Sequence, residues 1–352
     1  MTESTGNDIT SLDARHRTAD RIFRGALYFN VVLTVLWLYT VVTGRPTMFF
    51  KDYTVDLRAV GNVLVGVLIF YVAWGAIWWV VKGQLLRRFV GFTKDEVRDA
   101  FSSRMDRMFN VAALTGKYSE RRIRITDMIG RRGRFITLAA AGFFYLYSQI
   151  GQQLQMDRVT LGFLQDNLFD AILTNWIFLG FYYRSDLLAA MFYGPQSRIM
   201  DGVLARANCV LITTLWTVFK FVMIPIGTRM DGLFTVNELP VVFTFIWGSY
   251  IAADAFSEIV GSLLGRQRLK VWGIGDVNRK SIAGVVGGLA AALVLCLAVV
   301  WSHHLGSEWS VLAVVIAVSN ITLELYSPRG TDDFTMATAN AVICLAFGMW
   351  RG

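Results

Sequence analysis

Charge is scarce in this 352-residue chain: Asp, Glu, Lys and Arg together make up 17% of it, against 55% hydrophobic residues, and its mean hydropathy is +0.47. That balance excludes a soluble globular protein of ordinary composition, in which about 25% of residues are charged. Proline is scarce too, five in all, and no Pro-rich or Gly/Ser-rich run divides the chain. Linkers between soluble domains are therefore not expected. The three cysteines, Cys209, Cys296 and Cys344, stand singly in hydrophobic runs without metal-ligand spacing, which points to buried reduced thiols. No short apolar core with a small-residue cleavage site lies near Met1, so no cleaved signal peptide is expected. Internal repeats are also absent by inspection.

Long hydrophobic runs are what the chain has in abundance. Stretches of about 20 apolar residues fall near 25–43, 60–81, 135–151, 168–183, 207–227, 240–263, 281–301, 309–325 and 335–350. The expected fold class is all-α, a polytopic integral membrane bundle of about nine transmembrane helices. The chain divides into a cytoplasmic tail over 1–24, a membrane bundle over 25–239 and a catalytic membrane region over 240–352. Basic residues set the orientation, because short loops rich in Lys and Arg stay on the cytoplasmic side. The tail carries Arg15, Arg17, Arg21 and Arg24, and the segment from Lys82 to Arg134 carries fourteen basic residues. Both are placed in the cytoplasm, and counting onward puts 184–206, 264–280 and 326–334 on the same side. A multi-pass protein of a bacterial-type inner membrane is the expected setting.

The formal charge of +8 sits in loops beside hydrophobic spans, where it meets anionic lipid head groups rather than nucleic acid. Within 82–134, Val97, Phe101, Met105, Met108, Phe109 and Ala112 recur at helical spacing among Lys94, Arg98, Arg104 and Arg107. That segment reads either as an amphipathic helix on the inner membrane surface or as one packed on the protein's own cytoplasmic face. Asn30, Asn62 and the tryptophans Trp74, Trp78 and Trp79 read as scaffold, His303 and His304 as a solvated turn, and His16 as part of a charged tail.

Chemistry concentrates in the last third. Asp254 lies inside a span, where a carboxylate is costly and therefore a functional candidate. Glu258 is one turn nearer the cytoplasmic end on the same face. Two acids so stacked suit Mg²⁺, which takes one or two carboxylates together with substrate phosphates; the alternative is a structural pair satisfied by a neighbouring Lys or Arg. Gly261 and Gly265 then permit close backbone approach. Arg266, Arg268 and Lys270 lead to Arg279-Lys280-Ser281 at the start of a Gly-rich span containing Gly284, Gly287 and Gly288. A helix opening on Lys-Ser offers backbone N–H groups, a positive dipole end, an ammonium and a hydroxyl, as a phosphate chain requires. The GxxxxGK[ST] pattern is absent, because Arg279 precedes Lys280, and Gly273 to Asn278 does not complete GxGxxG. A plain positive-inside loop is the bland alternative. Finally Glu324 ends a span, a Ser-Pro-Arg-Gly turn follows, and Thr331, Asp332 and Asp333 enter the last span. Acid, basic loop and acids at one membrane surface suit metal-assisted phosphoryl or nucleotidyl transfer.

The run Asp254-Ala255, Gly261, Gly265, then Lys280-Ser281 with Gly284, then Glu324 and Gly330-Thr331-Asp332-Asp333, resembles the dolichol kinase and phytol kinase group of polyprenol kinases, relatives of the phosphatidate cytidylyltransferases. The resemblance covers about Val241 to Thr338. It implies an integral membrane enzyme using CTP and Mg²⁺ on a long-chain lipid alcohol, or on a lipid phosphate in the cytidylyltransferase relatives. On the resemblance, Asp254 and Asp332 are metal or catalytic carboxylates and Lys280 with Ser281 holds the nucleotide phosphates. Glu258, Lys270, Glu324 and Asp333 support the site. Asp333 stands where the kinases often have Asn, and Met336-Ala337 where a proline is common. The His-Gly-Gly and Asp-Arg signature of the cytidylyltransferases is missing, which favours the kinases.

The full set of expected site residues is thus Asp254, Lys280 and Asp332 for catalysis; Gly261, Gly265, Arg266, Lys270, Arg279, Lys280, Ser281 and Gly284 for the nucleotide; and Asp254, Glu258, Glu324, Asp332 and Asp333 for the metal. A CTP-dependent lipid kinase is the leading reading and a CDP-lipid-forming cytidylyltransferase the second. An ion-coupled transporter, with Asp254 and Glu258 binding a cation, is the third.

Overall fold

The computed structural model describes residues 5–43, scattered positions between 80 and 230, and 232–352 apart from 236, 274–275 and 328–330; the side chains of Arg268 and of Lys270 to Arg279 lie outside the description. The described residues fall in two compact units, one carrying the N-terminal helix and the other running from Ile212 to Gly352.

In the first unit, α1 spans Thr5–Thr43 without a break. The polar tail expected before the first span is therefore helix, continuous with it. No Gly or Pro interrupts the sequence between Gly6 and Gly25, and Ala19, Phe23, Ala26, Asn30 and Leu33 are buried at helical spacing along one face. Leu179 and Val210, from the regions read as the fourth and fifth spans, pack on that face against Phe23 and Ala26. Trp176 Nε1 donates to Thr34 Oγ1 at 3.0 Å.

The second unit is built on four apolar helices in succession: α2 (Leu239–Leu264), α3 (Ile282–Ser302), α4 (Ser307–Tyr326) and α5 (Asp332–Arg351). With His16–Tyr39 of α1 they are the five described helices long and apolar enough to cross a membrane, and the chain is a membrane protein of helical type. The expected span at 135–151, that at 60–81 but for Val80 and Val81, and the amphipathic segment around 97–112 lie outside the described residues. Short connections make α3, α4 and α5 antiparallel neighbours in turn, and a longer segment joins α2 to α3. Helix α2 touches all three others, α3 touches α4, and α4 touches α5.

Between α2 and α3 the sequence suggested only a loop, but the chain forms an antiparallel hairpin, β1 (Arg268–Gly273) and β2 (Asp276–Ser281). Gly273 pairs with Asp276 and Arg268 with Ser281, so a two-residue Ile274-Gly275 connection closes it, a length typical of tight hairpins. Strand β1 packs against α4.

A π-helical turn over Thr244–Gly248 interrupts α2. Such turns alter which residues face the core, and just beyond this one lies a buried polar knot. Ser249, Asn320 and Asn340, from three helices, are each fully buried. Asn320 Nδ2 donates to Ser249 Oγ at 2.8 Å, and Asn340 Nδ2 reaches Asn320 Oδ1 at 2.9 Å and Ser249 Oγ at 3.2 Å. Ser249 Oγ in turn donates to Phe245 O at 2.5 Å. An apolar layer surrounds the knot, with Phe245, Tyr250, Ile316, Met336, Ala337 and Cys344 in the same core.

At the end of the bundle away from the hairpin, α3 stops at His303 and His304, the latter at φ 52, and a tight turn leads into α4. This is the solvated turn expected of the histidine pair. On the same end Trp309 is buried against Phe347, with ring centroids 5.0 Å apart. The Arg351 guanidinium lies 5.1 Å above the Trp309 ring and pairs with Glu238 Oε1 at 2.6 Å. Glu238 Oε2 also accepts from Thr235 N at 2.8 Å. One carboxylate thus holds the entry of α2 and the exit of α5. Glu238→Ala is expected to destabilise the detergent-solubilised protein by about 1–3 kcal/mol, read by thermal unfolding; an unchanged melting temperature would remove the clasp.

Candidate functional site

At the hairpin end of the bundle, residues far apart in sequence meet at one carboxylate oxygen. Glu324, in the last turn of α4, is 4% exposed. Its Oε1 accepts from Lys280 Nζ at 2.5 Å and from Ser257 Oγ at 2.8 Å. Lys280 is the penultimate residue of β2, Ser257 lies on α2, and the three come together because the hairpin folds back over α4. Asp254, 7% exposed and one turn below Ser257, is within electrostatic range of Glu324 and of Tyr250. Glu324 faces the Lys280 ammonium, and Asp254 adds a second carboxylate to the same buried setting. Buried charges of this kind persist only when paired and hydrogen-bonded.

Ser281 caps α3: its Oγ accepts from Gly284 N at 3.1 Å. The backbone N–H groups expected to be open at this helix start are partly committed, because Ile282 N also donates to Gln267 O at 3.2 Å. The hairpin accounts for that difference, since it carries the Gln267 carbonyl to the helix end. What remains for an anion is the Lys280 ammonium, the Ser281 hydroxyl hydrogen and the positive end of the helix dipole.

The glycines explain the close approach of α2 and α3. A Cβ on Gly261 would stand 2.9 Å from Ser281 Oγ, one on Gly265 2.6 Å from Ser281 Cβ, and one on Gly284 2.6 Å from Ser257 O. The space they leave is filled by Ser281 and by α2 backbone, so their visible service is to seat the cap beside Ser257.

Asp332 and Asp333 occupy the first turn of α5, where acids complement the helix dipole. Ser327 Oγ at the end of α4 and Thr335 Oγ1 in that first turn are 2.5 Å apart. Asp333 is within electrostatic range of Tyr250. Glu258 is half-buried on α2 and Arg266 is exposed at its end. Lys270 and Arg279 are paired across the hairpin by their backbones, and their side chains fall outside the description. The five carboxylates expected as metal ligands do not gather as one: among the described residues no three His, Cys, Asp or Glu form a group that could hold a metal ion. Glu324 is taken up by Lys280 and Ser257, while Asp332 and Asp333 belong to a helix start.

Sequence reasoning missed Ser257, which sits unremarked between the two acids of α2, and it missed Tyr250 and the Ser249–Asn320–Asn340 knot. Spacing alone held one clue: Asn320 is one turn from Glu324, and Ser249 and Tyr250 are about one turn from Asp254. No protein-family model, curated protein or solved structure matches the chain.

Proposed function

We propose that the chain is a membrane enzyme that transfers a phosphoryl group from CTP to a long-chain isoprenoid alcohol of polyprenol, dolichol or phytol type at the cytoplasmic membrane face. The observation that carries this reading is the convergence of Lys280, Ser281, Ser257 and Glu324 at the hairpin end of an apolar bundle. A polar phosphate and a lipid hydroxyl can meet only at such an interface. Lys280 and the Ser281 hydroxyl are the groups to bind the phosphate chain, and the start of α3 adds its dipole. Asp332 is assigned to orient the alcohol and accept its proton. The resemblance of the Asp254, Lys280-Ser281 and Asp332 segments to polyprenol kinases supplies the choice of CTP.

The oxygen-rich donor set of carboxylates and hydroxyls fits a hard cation such as Mg²⁺. Asp254 and Asp333, both within electrostatic range of Tyr250, would hold it together with phosphate oxygens. Bound there, Mg²⁺ would neutralise charge developing on the transferred group.

The test is label transfer in lipid nanodiscs with Mg²⁺ and CTP labelled on the α- or γ-phosphate, offering polyprenol, phytol and phosphatidate. Passage of the γ label into the alcohol with release of CDP is the expected result. Passage of the α label into phosphatidate with release of pyrophosphate would make the protein a cytidylyltransferase instead. Transfer of neither label, with ATP and GTP equally inert, would overturn both and leave cation transport through Asp254 and Glu258.

A further inference from the structure

Resting on that reading, we infer that Glu324 is the counter-ion of Lys280 that the nucleotide's phosphate chain displaces, with Ser257 as the residue that keeps Glu324 in place during the exchange. Sequence pattern put Glu324 among the metal ligands. The geometry gives it a different task, because its Oε1 receives both the Lys280 ammonium and the Ser257 hydroxyl.

A pair as dry as this one is a poor way to hold helices together. Removing two charges from water offsets most of what their attraction returns, and apolar residues of equal size would bind α2, β2 and α4 at least as well. The ammonium is also badly placed for stability alone. Lys280 directly precedes the Ser281 cap of α3, and the positive end of a helix repels a cation and favours an anion. Glu324 offsets that repulsion while the site is empty. A phosphate chain brings more negative charge than one carboxylate and interacts favourably with the helix start as well, so Lys280 gains by changing partners. The Lys280 side chain keeps 17% exposure, while Glu324 is shut away at 4%. Ser257 donates to the very oxygen that Lys280 leaves, so Glu324 keeps a hydrogen bond and need not move.

The probe is pyrophosphate, titrated into the full-length protein in nanodiscs with EDTA and again with Mg²⁺. Glu324→Gln keeps the shape and the Ser257 bond but removes the competing charge. It is expected to bind pyrophosphate about tenfold more tightly in EDTA, whereas Lys280→Ala binds at least about tenfold more weakly. With CTP, Glu324→Gln should lower KM and kcat together, since an ammonium without its counter-ion is held less well. Unchanged affinity in Glu324→Gln, or a loss seen only with Mg²⁺ as for a metal ligand, would overturn the inference. Should that variant fail to fold, the wild type serves: pyrophosphate should slow acylation of the Lys280 amine, followed by mass spectrometry, and an unaltered rate would overturn the inference equally. If no label moves from CTP yet pyrophosphate still competes with Glu324 for Lys280, the kinase reading fails and the exchange stands. If label moves and Glu324→Gln alters neither affinity nor KM and kcat, the exchange alone fails.

Discussion

Lys280→Ala is expected to lower turnover by about two to three orders of magnitude, the loss that follows removal of one group aimed at developing charge in a dry site. The same change deprives Glu324, buried at 4% exposure, of its Lys280 partner, and breaking a buried pair from one side costs about 3–5 kcal/mol. A low rate could then reflect unfolding, so the substitution is read with a partner. Lys280→Met combined with Glu324→Gln removes both charges and keeps the Ser257 hydrogen bond. Stability should return close to that of the wild type while turnover stays lost. The two substitutions are in contact and their effects will not add. Thermal unfolding in detergent alongside γ-label transfer separates the quantities, and a double variant that recovered turnover would remove Lys280 from the chemistry.

Asn340→Ala is expected to lower stability by about 2–4 kcal/mol, among the largest losses for a residue outside the candidate site. Its Nδ2 is shared among Asn320 Oδ1, Ser249 Oγ and Ile246 O, so truncation leaves the Asn320 carbonyl without its donor and opens a cavity in a layer that water does not reach. Side-chain hydrogen bonds inside membranes are individually modest, about 0.6 kcal/mol on average. The orphaned acceptor and the void supply the rest. Replacing Asn320 and Asn340 together by leucine removes donor and acceptor alike, and should cost less than the sum of the two single changes. Additive losses would show that the two amides do not act as a unit.

The four C-terminal spans were legible because unbroken apolar runs of this length have few alternatives, and helices α2 to α5 follow them within a few residues. The hairpin was not. Arg268 to Gly273 and Asp276 to Ser281 are short, mix charged and apolar residues irregularly, and border long helical runs, so their period-2 signal is weak. Ile274-Gly275 is not one of the dipeptides that signal a two-residue hairpin connection, and missing the hairpin also hid that Gln267 would reach Ile282 N. The candidate site was half legible. Lys280, Ser281, Glu324 and Asp254 stand out as polar groups at or inside spans, and the structure brings them to one end. Which oxygen meets which donor depends on helix rotation, and Ser257 has no property that marks it in sequence. The asparagine knot escaped for a related reason: a single amide in an apolar span reads as tolerated polarity, and its partners lie 20 and 91 residues away. The polar tail read before the first span runs into it as one helix, which composition alone does not reveal.

The most direct measurement is a structure of the full-length protein in nanodiscs with Mg²⁺ and a CTP analogue that cannot transfer its γ-phosphate. The phosphate chain should lie over the Ser281 cap within hydrogen-bond reach of Lys280 Nζ, with Glu324 still bonded to Ser257. A phosphate chain bound elsewhere, with the Lys280–Glu324 pair intact, would contradict the account at its centre.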